Sequence, residues 1–324
     1  MKPYVFVGHP IERETRDYLE QHFELAVWNE PNKKVPAERL RDELQRAEGA
    51  MLTSTRVDAQ LLADAKKLKV VSTVSVGYDA FDIDAFQEYG VLATHTPYVL
   101  DETVADLVLG LMISSSRRIA ELHEYIKKGE WQPEPDSTFF GQDLHHRTLG
   151  IIGMGRIGEK VVRRARLGFE MDVVYHNRRR QPEVEQNYEA RYMELDDLLQ
   201  HADIVVVMVP LTEETTGLIS TREFGLMKPT SVLVNAARGP VVDEGALVTA
   251  LREKQIFAAG LDVFDQEPLP ADHPLLLLDN VTLTPHIGSS THETTREMEM
   301  CAAKNLVQAL QGDTPQDLIK ELKD

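Results

Sequence analysis

Short apolar runs alternating with helix-period segments from end to end limit the folds open to this chain more than any other feature. The first series is YVFVG (4–8), LAVW (25–28), AML (50–52), VVSTV (70–74) and VLAT (91–94). The second is LGIIG (149–153), VVYH (173–176), IVVVMV (204–209), SVLVN (231–235), AAGLDV (258–263) and VTLT (281–284). Unbroken Val/Ile/Leu runs mark strands buried on both faces of a parallel sheet, and such a sheet needs helical crossovers between its strands. Two βα series predict an α/β protein made of two doubly wound parallel-sheet domains. A length of 324 residues lets each domain bury its own core.

Between the two series, Val104, Leu107, Val108, Leu111 and Met112 recur on one broad helix face. They predict a long helix within 101–128 that crosses from one domain to the other. A second long helix is expected over 289–310, with Ser290 and Glu293 as a capping box. Cys301 falls on its face with Met298, Ala302 and Leu306 and reads as core.

Charge narrows the partners. The chain carries 53 acidic and 35 basic residues, a net charge of −18. That balance argues against general binding to nucleic acid or to an anionic membrane. An anionic small ligand therefore needs a local basic pocket. No apolar run approaches the ~18 residues of a membrane span, and MKPYVFVGHP reads as a strand rather than a leader. The single cysteine permits no intrachain disulfide and suits a cytoplasmic location. His145 and His146 lack a partner at zinc-ligand spacing, so no metal is expected.

LGIIGMGRIGEKVVRRA (149–165) sets Gly153, Gly155 and Gly158 at the spacing G-x-G-x-x-G, after a strand and opening an amphipathic helix. Gly153 makes the tight turn, Gly155 lets the backbone approach a pyrophosphate, and Gly158 permits close helix–strand packing. The free N–H groups at the helix start face the phosphates, so Arg156 and Ile157 join the cofactor set. The next strand runs into HNRRR. Asn177 stands 19 residues past Gly158, where an acidic residue would hold the 2′-hydroxyl of NAD. An amide there does not repel a 2′-phosphate, and Arg178 and Arg179 can each bond one with ~1.5–3 kcal/mol. The pattern favours NADP(H), with NAD(H) possible. Either arginine can make the contact; Arg180 lies furthest along the loop.

Three polar residues follow successive late strands: Arg238 in NAARGPVVDE, Glu267 in FDQEP and His286 in PHIGSST. A ketone that accepts hydride needs a proton donor for the developing alkoxide, which histidine provides near neutral pH. A carboxylate against it keeps the imidazolium charged. A guanidinium binds a 2-oxo acid by its carboxylate and polarises the carbonyl. The set suits reduction of a 2-oxo acid. Each residue also has a plain alternative: a surface arginine, a loop glutamate, a histidine before a helix cap.

GMGRIG, VVVMVPLT, LVNAARGPVVDE, AAGLDVFDQEPLP and TPHIGSSTHETT, in this order and spacing, resemble the D-isomer-specific 2-hydroxyacid dehydrogenase family over nearly the whole chain. VLDETVADLVLGLM, GEW (129–131), DLHHRTLGIIGMGRIG and HNRRR narrow the resemblance to its NADPH-dependent glyoxylate/hydroxypyruvate reductases, including those called 2-ketogluconate reductases. The resemblance implies a flavodoxin-like substrate domain over 1–99 and 288–324 and a Rossmann coenzyme domain over 100–287. Catalysis is expected in the cleft between the two domains. It makes His286 the acid/base, Glu267 the group that tunes it, and Arg238 the substrate-binding cation. It gives the N–H groups of Val76 and Gly77, in STVSVGYD, to the substrate carboxylate, a role that a glycine-containing loop after a strand can fill. It adds Pro210, Thr215, Ala236, Asp262, His286 and Gly288 to the cofactor cleft, and it implies a homodimer formed through residues near 101–145. Rival readings are another dehydrogenase of the same fold, acting on D-lactate, formate, phosphite or 3-phosphoglycerate, and a dinucleotide-sensing corepressor resembling the C-terminal-binding proteins. The long phosphoglycerate enzymes carry a regulatory extension that is not expected here. The NAD-specific forms and the corepressors carry an acidic residue where this chain has Asn177.

Overall fold

The computed structural model describes residues 2–31, 33–133 and 137–323. The chain divides into two compact units, Met1–Leu100 with Ser289–Asp324, and Asp101–Gly288.

The first unit is built on a parallel five-stranded sheet of β1 (Tyr4–Val7), β2 (Glu24–Val27), β3 (Gly49–Leu52), β4 (Val70–Thr73) and β5 (Leu92–Thr94), in the order β2-β1-β3-β4-β5. Its early helices are α1 (Arg13–His22), α2 (Ala37–Arg46), α3 (Ala59–Asp64) and α4 (Ile83–Tyr89). Alternation along the strands feeds two cores, since successive side chains point to opposite faces. Phe6, Ala50, Leu52, Val71 and Ala93 pack with Leu40 and Leu44 of α2 and Phe86 of α4. Val5, Val7, Met51 and Val70 face the other way, onto Leu19 of α1.

The second unit holds a parallel seven-stranded sheet of β6 (Thr148–Ile152), β7 (Asp172–His176), β8 (Arg191–Tyr192), β9 (Ile204–Val207), β10 (Val232–Asn235), β11 (Ala258–Leu261) and β12 (Val281–Leu283). Their order is β12-β11-β10-β9-β6-β7-β8. Its helices are α5 (Asp101–Ser116), α6 (Ile119–Lys127), α7 (Arg156–Phe169), α8 (Pro182–Tyr188), α9 (Leu195–His201), α10 (Thr221–Phe224) and α11 (Glu244–Arg252). Leu198 and Leu199 of α9, Phe224 of α10 and Leu247 and Leu251 of α11 close one core against Val205, Val207, Leu233 and Leu261. The last helix, α12 (His292–Gln311), belongs to the first unit, where Ala302, Ala303, Leu306 and Val307 join the α1 side of the sheet.

Three local expectations need correction. The helix predicted over 101–128 is two helices, because Arg118 takes a left-handed backbone (φ 56°) and bonds Glu121 through Nε at 2.7 Å. The second long helix is capped by Thr291, which accepts from the Thr294 N–H at 3.2 Å, rather than by a box of Ser290 and Glu293. The two-residue β8 was not expected, since RY carries no apolar run. Among the described residues, no helix is long and apolar enough to cross a membrane.

Candidate active site

In an all-parallel sheet the carboxyl ends of the strands share one edge, and ligands bind beyond that edge where the strand order reverses. In the seven-stranded sheet the reversal falls between β6 and β9. Gly153–Gly158 follow β6, Asn177–Arg180 follow β7, and Pro210 and Thr215 follow β9. Ala236 and Arg238 follow β10, Asp262 and Glu267 follow β11, and His286 and Gly288 follow β12. Thr215 Oγ1 donates to the Pro210 carbonyl at 2.6 Å, which closes that loop on itself.

The glycine loop fits a dinucleotide pyrophosphate. Gly153 has φ 103°, and a Cβ there would stand 2.6 Å from the Met208 carbonyl carbon. A Cβ on Gly158 would meet the Gly153 oxygen at 2.6 Å. Gly155, the N-cap of the 14-residue α7, has nothing within 4 Å of such an atom. Two glycines therefore close the turn while the third leaves open ground before a helix N-terminus, where N–H groups and dipole favour an anion. Arg156 and Ile157 begin α7, and Arg156 Nε bonds the buried Asp101 carboxylate at 3.0 Å.

The three arginines differ in their surroundings. Tyr175, buried on β7, donates its hydroxyl proton to Glu185 at 2.6 Å and accepts the Gln181 N–H at 2.7 Å. Glu185 also takes both Nε and Nη2 of Arg180, at 2.9 and 2.8 Å. Arg180 is thus turned toward α8. Asn177 donates to the Arg179 carbonyl at 3.0 Å, shaping the loop, while the Arg178 and Arg179 side chains are exposed. Glu214, held below the ordinary carboxylate range mainly by the Thr212 hydroxyl, also feels the charge of Arg178.

Glu267 and His286 meet. His286 Nδ1 lies 2.7 Å from Glu267 Oε2, and Glu267 Oε1 accepts the Phe264 N–H at 3.1 Å. The bond to Glu267 raises the imidazole above the ordinary histidine value; burial and the charge of Arg238 oppose it. Burial works to raise the Glu267 carboxyl, but His286, the Phe264 N–H and the charge of Arg238 outweigh it and hold the group below its ordinary range. Arg238 Nη1 donates to the Ala237 carbonyl at 2.7 Å. Its chain is anchored by Asn235, which donates to the Arg238 carbonyl at 2.9 Å and accepts the Ala237 N–H at 3.1 Å. Gly239 lets this segment touch the Glu267 loop backbone to backbone, since a Cβ there would sit 2.0 Å from the Phe264 carbonyl carbon.

Two supporting roles escaped the reading of the sequence. Asp262 is 1% exposed, and its carboxylate accepts the Thr284 hydroxyl at 2.6 Å and the Ile287 and Gly288 N–H groups at 2.8 Å each. It clamps the loop that carries His286, itself at φ 52°. Glu244, at the start of α11, accepts the Asp265 N–H at 2.9 Å and lies 3.2 Å from His273 Nε2, holding the Glu267 loop from behind. The acidic pair Asp243–Glu244 after Arg-Gly-Pro was the available signal for this second clamp.

Val76 and Gly77 lie just past β4, at the carboxyl edge of the five-stranded sheet. Among the described residues, neither N–H donates a hydrogen bond.

Comparison with known proteins agrees with this architecture. The family described as D-isomer specific 2-hydroxyacid dehydrogenase, NAD binding domain, matches residues 109–288. A glyoxylate/hydroxypyruvate reductase B of Citrobacter koseri is 48% identical over 98% of both chains, and one of Escherichia fergusonii is 46% identical over 98% of both. The crystal structure of the TT0316 protein from Thermus thermophilus superposes with a TM-score of 0.91 at 40% identity, covering 98% of this chain and 99% of that one. An NADPH-dependent glyoxylate/hydroxypyruvate reductase from Sinorhizobium meliloti, solved with NADP and malonate, gives 0.86 at 29% identity, covering 99% and 98%. With its glycine loop, its paired histidine and glutamate and these relatives, the chain belongs to the D-isomer-specific 2-hydroxyacid dehydrogenase family.

Proposed function

We propose that this protein reduces glyoxylate and hydroxypyruvate to D-2-hydroxy acids with NADPH, 2-ketogluconate sharing the same carboxylate–carbonyl head. The observation that carries the proposal is the 2.7 Å contact of His286 with Glu267 beside the charge of Arg238. The Gly153–Gly158 loop would hold the nicotinamide dinucleotide, which would supply the hydride. His286 donates its Nε2 proton to the oxygen that becomes the hydroxyl, and Glu267 stabilises the imidazolium beforehand. Arg238 binds the 2-oxo acid and draws electron density toward the carbonyl oxygen. The N–H groups of Val76 and Gly77 receive the substrate carboxylate. The buried Asp262 keeps the loop of His286 in place.

NADPH preference is supported by Asn177, by the exposed Arg178 and Arg179, and by the NADP complex of the Sinorhizobium relative. The test is kcat/KM for hydroxypyruvate with each cofactor. An advantage for NADPH of about tenfold or more is expected, the worth of a single charge-assisted bond; equal values would remove the preference. A cytoplasmic homodimer belongs to the same proposal. The exposed Ile126, Trp131 and Phe140 supply apolar surface for self-association, and Glu134, Pro135 and Asp136 within that stretch lie outside the described residues.

The pairing of His286 also sets a pH dependence. Reduction requires the imidazolium, and its pKa is raised, so kcat/KM falls as pH rises through a value above that of ordinary histidine. Glu267→Gln removes the stabilising charge and moves that basic limb to lower pH. A limb unmoved in the pH profile of the variant would contradict the assigned tuning.

A further inference from the structure

The first unit contains a bracket behind Val76 and Gly77 that the roles above do not use. His95 follows β5 as Val76 follows β4, and parallel pairing of Ser72 with Thr94 brings the two loops side by side. His95 Nδ1 lies 2.9 Å from the Val76 carbonyl oxygen. A carbonyl only accepts, so Nδ1 carries the proton and the ring donates. The accepting carbonyl and the N–H of Gly77 belong to one planar peptide unit. Holding its oxygen therefore fixes the direction of the Gly77 N–H, and a bond at the oxygen polarises the group toward stronger donation.

The ring is itself aimed from several sides. The His95 N–H donates to the Asp317 carbonyl at 3.2 Å, and the His95 carbonyl accepts from Asn305 Nδ2 at 3.2 Å. Asn305, 1% exposed on α12, is locked in turn to Asp317 through its own amide at 3.2 Å on each side. Thr96 N–H donates to the Ser75 carbonyl at 2.9 Å, tying the two loops together next to the ring. Tyr78 packs edge-on against the imidazole at 5.3 Å, and its hydroxyl donates to Glu321 at 3.0 Å. A histidine whose backbone is held at both ends and whose ring meets the Val76 carbonyl and the Tyr78 edge is a fixed strut.

We infer that His95 is a positioning residue for substrate binding: it orients the Val76–Gly77 peptide so that the Gly77 N–H points at the substrate carboxylate. The inference rests on the carboxylate role proposed for that loop. His95→Leu removes the donor, whereas His95→Asn restores one, since the asparagine Nδ2 takes the place of the imidazole Nδ1. In the full-length enzyme, His95→Leu is expected to raise KM for glyoxylate and Ki for oxalate together by roughly three- to tenfold, the worth of one hydrogen bond. It should leave the Kd for NADPH unchanged, and His95→Asn should recover most of the loss. Unchanged KM and Ki in His95→Leu would overturn the inference. So would a His95→Asn enzyme as impaired as His95→Leu, or equal losses in NADPH affinity, because either marks a general structural role.

Val76→Pro separates this from the underlying reading. It deletes one N–H offered to the carboxylate but leaves the carbonyl that His95 holds. A raised oxalate Ki in Val76→Pro with an unchanged one in His95→Leu sinks the inference and supports the loop's role. Unchanged Ki in a folded Val76→Pro enzyme together with an unchanged one in His95→Leu sinks the loop's role and the inference with it.

Discussion

His286→Ala should lower kcat for hydroxypyruvate reduction by about two to four orders of magnitude, the usual share of a positioned general acid. It should leave NADPH binding close to that of the unaltered enzyme. The expectation comes from the geometry around the ring. Its Nδ1 is taken by Glu267, which leaves Nε2 as the proton donor, and the loop beneath is held by Asp262 rather than by the imidazole. Removing the ring therefore takes away a proton without releasing the loop. Single-turnover rates together with a fluorescence titration of NADPH check both halves. A variant that lost cofactor affinity and kept its turnover would reverse the assignment and make His286 a binding residue.

The second large effect concerns cofactor choice. Replacing Arg178 and Arg179 together by alanine should weaken NADPH binding by roughly ten- to a hundredfold and leave NADH binding nearly unchanged. The range follows from losing one or two charge-assisted bonds, the first worth about tenfold. Arg180 is the internal control. It is already committed to Glu185 through two hydrogen bonds, and Glu185 is fixed by Tyr175. Arg180→Ala should therefore loosen the loop slightly for both cofactors alike. Measured Kd values for NADPH and NADH decide the matter. Equal losses for both cofactors in the double variant would mean that Arg178 and Arg179 serve the fold of the loop.

How much of this was legible beforehand differs between levels of structure. The strands were read with their ends displaced by a residue or two, because apolar runs report burial and not the last ladder bond. Arg-Tyr at 191–192 forms β8 by pairing with Val174 and Tyr175 of β7, a partner that no local pattern reveals. The break at Arg118 depends on a left-handed residue and its bond to Glu121, features that helical periodicity averages over.

The amino-acid sequence alone determined the two βα series, the glycine loop and the identities of Arg238, Glu267 and His286. Those are properties of short segments: strand burial, backbone permissiveness and side-chain chemistry are written locally. The tertiary structure alone decided the partnerships: His286 with Glu267, Asp262 with the loop at 284–288, and His95 with Val76. Each joins separate segments of the chain, and within 3 Å a hydrogen bond depends on where both segments have been carried. Parallel β-pairing and the packing of the helices onto each sheet set those positions, and they are non-local by nature.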